Sequence, residues 1–202
     1  MEGSMQEDKK EAELWDLLDV NRIPTGRRHR RGEPLQPDEY HLVVHVCILN
    51  SEGEMLVQKR SMRKDSFPGM WDVSAAGSAL SGEDSRAAAA RELREELGLE
   101  VDFSDRRPTF TVNFANGFDD WYIVDMDVDM SKLRIQKSEL SEVGWMKKYE
   151  ALNCIAQKQM VPYFFLDLVF DHKDYVGSFH SFRRLASFAD ADGSDGGGSG
   201  NG

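Results

Sequence analysis

Residues Gly77 to Leu99 read GSALSGEDSRAAAARELREELGL, and this stretch decides more about the chain than any other. Its spacing predicts a helix over Asp84 to Leu97. An alanine run favours helical backbone, Leu93 and Leu97 fall on one side, and Gly98 supplies the stop. On such a helix Glu92, Glu95 and Glu96 stand at i, i+3 and i+4, so their carboxylates project from one side. Like charges at that spacing repel, and the cluster costs stability unless something compensates. A hard divalent cation does so, because Mg²⁺ takes oxygen ligands in a mostly hydrated octahedron. Arg91 lies beside the glutamates, and Glu83 precedes the helix within pairing reach of Arg91. Gly77 and Gly82 permit a tight loop whose backbone carbonyl can complete a metal shell. The plainer alternative is an exposed helix laced with Arg–Glu ion pairs, and the glutamates alone do not separate the two.

Outward from the helix the pattern is mostly β. Leu42 to Leu49 is rich in Val, Leu and Ile, Asn50-Ser51-Glu52-Gly53 has turn chemistry, and Met55 to Gln58 reads as a partner strand. Phe67-Pro68-Gly69-Met70-Trp71 breaks the chain before a short strand over Asp72 to Ala75. Strands are expected over Phe110 to Phe114 and Trp121 to Val128, a helix over Tyr149 to Gln159, and a further segment after Pro162. Strands alternating with a few helices argue for a mixed α/β domain. Upstream, Asp16 to Tyr40 is interrupted by Pro24, Gly26, Gly32, Pro34 and Pro37, which suggests a hairpin or irregular arm, and it carries Arg27-Arg28-His29-Arg30-Arg31. That basic run is read as a solvated turn, a lip over an anionic substrate, or a targeting patch.

The expected organisation is a polar N-terminus (1–10), a single domain (11–189) that includes the arm (11–39) and the informative stretch (77–99), and an unstructured Gly/Ser/Asp tail (190–202). At 202 residues with a net charge of −11, the chain repels phosphate backbones, so nucleic acid is not an expected partner. No run approaches the roughly 20 apolar residues of a membrane span, and MEGSMQEDKKEAE lacks the apolar stretch of a leader, so a cytoplasmic protein is expected. Two cysteines, Cys47 and Cys154, imply no disulfide framework and show no signal for nucleophilic use. The arm and the apolar Val161 to Phe170 segment leave a homodimer contact open.

Taken whole, Gly77, five residues, Glu83, seven residues, then Arg91-Glu92-Leu93-x-Glu95-Glu96-x-Gly98-Leu99 matches every fixed position of the Nudix box. Chance gives such a match on the order of 10⁻⁹ to 10⁻¹⁰ per start position at average residue usage. The chain resembles a Nudix protein. That resemblance implies an α/β/α sandwich with a mixed sheet, hydrolysing a small-molecule diphosphate with Mg²⁺ or Mn²⁺. It implies Glu92, Glu95, Glu96 and the Gly77 carbonyl as metal ligands, one glutamate (Glu92 is favoured) as general base, and Glu83 pairing with Arg91 to hold the helix. The chemistry is coherent: metal ions neutralise the diphosphate, stabilise the transferring phosphoryl group and lower the pKa of water.

The stretch from about Asp16 to Val101 is similar to the isopentenyl-diphosphate isomerase branch, through Tyr40-His41-Leu42, Leu56-Val57-Gln58-Lys59-Arg60 and Phe67-Pro68-Gly69-Met70-Trp71. That isomerase needs a Cys where this chain has Ala76, and metal-binding His residues where it has Ser78 and, without a gap, Pro34. Hydrolysis with an isomerase-like arm is therefore the better reading; an isoprenoid-diphosphate enzyme and a nucleotide-binding sensor are the alternatives. The resemblance carries Arg60 and Lys64 over as substrate contacts, and His41 as a retained metal-site position that also suits a structural histidine. Asp120, Glu139 and Glu142 are candidates for an auxiliary base or ligand, with Glu139 and Glu142 equally readable as loop or helix-cap carboxylates. Trp71, Phe114, Phe118 and Trp121 are read as core or as ligand-stacking aromatics.

Overall fold

The nine residues of β3 (His41–Leu49, HLVVHVCIL) carry apolar side chains to both faces, interrupted on one by His41 and His45, and a strand of that kind sits between two layers. In the computed structural model, which describes residues 13–172, it does. Val44, Val46 and Ile48 point into one core, while Cys47 and Leu49 point into the other. β3 pairs in parallel with β8 (Gly117–Asp125) over its full length, from His41↔Gly117 to Leu49↔Asp125. β7 (Phe110–Phe114) lies antiparallel on the far side of β8. On its other edge β3 takes β6 (Ala75–Ser78) antiparallel, with His45 opposite Ala76 and Val44 opposite Gly77.

β4 (Met55–Arg60) leaves β3 through a tight turn in which the Asn50 side chain accepts from the amides of Glu52 and Glu54. The two strands meet in register only at Leu49↔Met55. Beyond that point β4 pairs with β5 (Trp71–Asp72) and β9 (Leu140–Met146) instead. The sheet therefore forks. Ser74 stitches the fork, since its Oγ accepts from Ile48 N at 2.8 Å and donates to the Leu56 carbonyl, all three residues being fully buried.

α1 (Ser85–Leu97) covers one face. Asp84 caps it by accepting from Ala87 N at 2.8 Å, and Gly98 ends it in the left-handed region at φ 69°. Its fully buried Ala88, Ala89, Leu93 and Leu97 pack on Val44, Val46, Ile48 and Ala75. The opposite face is covered by α2 (Lys148–Ala156), α3 (Leu166–Phe170) and the segment between them, through Ala151, Met160, Leu166 and Val169. The result is the expected α/β/α layering. Burial pushes the Cys47 thiol well up, whereas Cys154 on α2 is only half-buried.

The expected arm is an antiparallel hairpin, β1 (Leu14–Leu18) and β2 (Pro24–Arg30), turned through Asp19, whose side chain accepts from the amides of Asn21 and Ile23. Asp16 on β1 accepts from Ser81 Oγ and Gly82 N, which ties the arm to the loop before α1. Several expectations change. The strand expected over Asp72 to Ala75 is two short strands broken at Val73 and Ser74, β8 begins at Gly117 rather than Trp121, and α2 ends at Ala156. The region of Glu139 and Glu142, read as loop or helix cap, contributes strand β9, because Trp145 and Val143 seat on the α1-side core opposite Leu56 and Gln58. Segments 1–10 and 190–202 lie outside the described residues. No helix among the described residues is long and apolar enough to cross a membrane.

Removing the Ser74 hydroxyl leaves a buried N–H and a buried carbonyl without partners, at about 1–3 kcal/mol. Ser74→Ala is expected to lower unfolding free energy by that amount, measured by urea denaturation.

Candidate active site

The three glutamates of α1 meet very different surroundings. Glu96 is 97% shielded from solvent by relative area, and its Oε2 accepts from Gln58 Nε2 at 2.9 Å and Ala76 N at 3.3 Å. Glu92 is nearly buried against β6, where its carboxylate fills the space in front of Gly77; a methyl group at Gly77 would overlap it. Any larger residue there would have to displace the Glu92 carboxylate. Glu95 is half-exposed at the rim. Arg91 organises the group. Its Nε and Nη2 clamp both oxygens of Glu83 at 2.7 and 3.0 Å, Nη2 also donates to the Ser78 carbonyl, and Nη1 reaches Glu92 at 2.9 Å and Glu95 at 3.2 Å. Glu83 in turn accepts from Leu80 N, so the pair locks the loop onto the helix as expected.

Burial raises the Glu92 carboxyl to about 7, with the Glu95 charge adding to the shift against the pull of Arg91. It raises Glu96 to about 8, with the neighbouring Glu92 as the next cause. Two buried carboxylates are thus under-compensated: the site is short of positive charge. As placed, no three acidic, His or Cys groups among the described residues converge tightly enough to hold an ion, since Arg91 stands between Glu92 and Glu95. The donor set still suits a hard divalent cation. It is all oxygen, the Gly77 carbonyl strand abuts it, and Gln58 Oε1 beside Glu96 is buried without a partner.

Gly77, Arg91 and the three glutamates line a cleft of about 790 Å³ at the open side of the fork, together with Arg60, Lys64 and Glu139. The structure brings most of the expected site together but reassigns several members. Arg60 is buried and committed: its guanidinium donates to Asp72 Oδ2 at 2.8 Å and to the carbonyl and hydroxyl of Ser66, so it fixes the loop carrying Lys64 and Phe67 and is no free cation for a phosphate. Lys64 is ion-paired with Glu139. His41 does not line the cleft; it stacks on Trp15, centroids 4.3 Å apart and planes 8° off parallel, and burial holds its pKa down to about 4. Asp120 is buried and does not line the cleft; it anchors Arg22 of the hairpin turn at 2.7 and 3.0 Å and accepts from Thr111. Glu142 is exposed on β9 beside Lys59. Trp121 is core, and Trp71, Phe114 and Phe118 do not line the cleft.

One network escaped the sequence reading. Tyr163 Oη donates to Asp72 Oδ1 at 2.7 Å and so takes its other bond from His45 Nε2–H at 3.0 Å. His45 Nδ1 faces Asp119 Oδ1 at 2.6 Å, a contact that needs one proton between them. The chain Asp119–His45–Tyr163–Asp72–Arg60–Ser66 joins the central sheet to the rim loop. His45 carries a weak signal in sequence, sharing a strand face with His41; Tyr163 carries none, being 118 residues away.

The pKa shifts give a pH prediction. Between about pH 4.5 and 8 the folded metal-free protein holds protons on Glu92 and Glu96 that the unfolded chain has lost, so stability falls as pH rises through this window. The melting temperature in chelator is expected to drop from pH 5 to pH 8, less steeply in Glu96→Gln.

Comparison with known proteins places this geometry. The NUDIX domain model matches residues 39–164. An uncharacterised Nudix hydrolase of Listeria monocytogenes is 47% identical over 162 residues, 80% of this chain and 96% of its own. Nudix hydrolase 3 of Arabidopsis thaliana is 34% identical over 75% of this chain and 22% of its own length. An isopentenyl-diphosphate Δ-isomerase of Kocuria rhizophila is 29% identical over 74% of this chain and 84% of its own. The crystal structure of DR0079 from Deinococcus radiodurans superposes with a TM-score of 0.65 at 25% identity, covering 79% of this chain and 98% of that one. With an intact box on the helix and loop where the glutamates meet, the chain belongs to the Nudix family.

Proposed function

We propose that the cleft hydrolyses the diphosphate linkage of a nucleoside diphosphate-X or related small organic diphosphate, with Mg²⁺ or Mn²⁺ as cofactor. The observation that carries this is the trio Glu92, Glu95 and Glu96 set against Gly77, two of the three under-neutralised by their surroundings. Glu92, Glu95, Glu96 and the Gly77 carbonyl would hold the metal, which supplies charge neutralisation at the diphosphate and a more acidic water. The rest falls to the chain. Glu92 takes the proton of the attacking water. The new bond forms from water oxygen to phosphorus, the bridging P–O bond breaks, and two phosphate products leave. Arg91 holds Glu92 and Glu95 in position from Glu83, and Gln58 orients Glu96. Similarity to an isomerase does not extend to that chemistry, because Ala76 offers no thiol to move a proton on carbon.

The test is a substrate panel with Mg²⁺, followed by mass spectrometry: nucleoside triphosphates, oxidised nucleotides, ADP-ribose and other nucleotide sugars, coenzyme A, dinucleotides and isopentenyl diphosphate. Glu96→Gln is expected to lower kcat on any substrate by about 10²- to 10⁴-fold. Chelation should abolish turnover, and Mg²⁺ or Mn²⁺ should restore it. Tight metal-independent binding of one compound without turnover would instead make the protein a sensor.

A further inference from the structure

The cleft is lined by six carboxylates (Glu13, Asp72, Glu92, Glu95, Glu96 and Glu139) and four cationic side chains (Arg31, Arg60, Lys64 and Arg91). Among the described residues each of the four already has a carboxylate partner. Arg60 is held by Asp72, and Arg91 by Glu83, Glu92 and Glu95. Arg31, at the end of the hairpin arm, pairs with Glu13 at 2.7 Å and also feels Glu139 and Asp65. Lys64 pairs with Glu139, and both side chains are mostly shielded from solvent, at 16% and 19% exposure. Lys64 lines the same cleft as Glu92 and Glu96, so it borders the space a diphosphate held at α1 would occupy.

The charge a substrate brings then decides its fate. Metal ions at α1 can neutralise a diphosphate. A third, terminal phosphate adds further negative charge, and beyond the metals it would meet only cations already paired with Glu13, Asp72, Glu139 and Glu83. A diphosphate esterified at both ends adds no such charge.

Resting on the hydrolase reading above, we propose that Glu139 is a charge filter: by occupying Lys64 it makes the cleft select diphosphates esterified on both sides over triphosphates. Its position is fixed from both directions, because its carbonyl accepts from Ser61 N at 2.8 Å and its amide donates to the Gln136 carbonyl. Lys64 and Glu139 are thereby set opposite each other by the rim loop and the lead-in to β9. On this view Glu139 is a specificity residue, and the auxiliary base or ligand role is not its function.

The test uses the full chain with Mg²⁺ and two readouts. The first is the ratio of kcat/KM for a nucleoside triphosphate to that for a dinucleoside diphosphate or nucleotide sugar. The second is the ratio of affinities for inorganic tripolyphosphate and inorganic pyrophosphate by calorimetry. Glu139→Gln removes the charge and keeps the shape; it is expected to raise both ratios about fivefold to tenfold, the order of one partly shielded ion pair. Glu139→Asp keeps the charge and should hold the wild-type ratios. Lys64→Met added to Glu139→Gln should cancel the gain. Unmoved ratios, or a uniform loss on every substrate in Glu139→Gln, would overturn the filter and return Glu139 to a base or ligand role. If the wild type turns over nothing, the hydrolase reading fails on its own, and the tripolyphosphate-to-pyrophosphate ratio still decides the filter.

Discussion

A guanidinium shared among three carboxylates is the constraint on which this molecule turns. Arg91 is held by two oxygens of Glu83 and by the Ser78 carbonyl, which leaves one nitrogen to face Glu92 and Glu95. Without it, the repulsion that the i, i+3, i+4 spacing builds into α1 would be relieved by turning side chains outward or fraying the last turns. With it, the helix keeps its acidic edge aimed at β6, and Gly77 gives that edge room. Even so, one cation cannot offset all the buried charge, and burial holds the Glu92 and Glu96 carboxyls well above the usual carboxylate range. The arm is recruited into the same arrangement, since Asp16 grips the loop that delivers Glu83.

The fork in the sheet explains where the cleft lies. A continuous pairing of β3 with β4 would have closed the space that β6 and β5 leave between them. Instead the two strands part after a single registered pair, and a buried serine hydroxyl replaces the ladder bonds that would have joined them. The open side of this fork is bordered by groups from distant parts of the chain: the arm, the rim loop, α1 and the segment that follows α2. The hydrogen-bond chain from Asp119 to Ser66 runs through that assembly and holds its floor to its rim.

How much of this was readable in the sequence follows the range of each interaction. The box is legible in the sequence and α1 to within one residue, because capping, helical periodicity and the Glu83–Arg91 pairing act over a few turns. β3, β4 and β7 were legible from apolar runs bounded by turn residues. β9 was not, because Ser141, Glu142 and Gly144 dilute its apolar face, and it is a strand only because β4 offers it an edge. Arg60 and His41 illustrate the limit at the site. Both sit at positions that a resemblance marks for ligands, yet the partners that claim them, Asp72 with Ser66 and Trp15, are supplied by tertiary contacts. Asp120 is a candidate ligand in sequence for a similar reason, since only the alternation along β8 in the folded sheet sends Asp119 to His45 and Asp120 to Arg22.

The two cysteines occupy opposite chemical situations. Cys47 is sealed inside β3 with its thiol held protonated, while Cys154 is partly open on α2 and does not line the cleft. The wild-type chain therefore comes with one addressable sulfur. A fluorophore or spin label attached there by thiol chemistry would report from outside the cleft while the cleft is loaded and emptied, with no cysteine needing to be removed first.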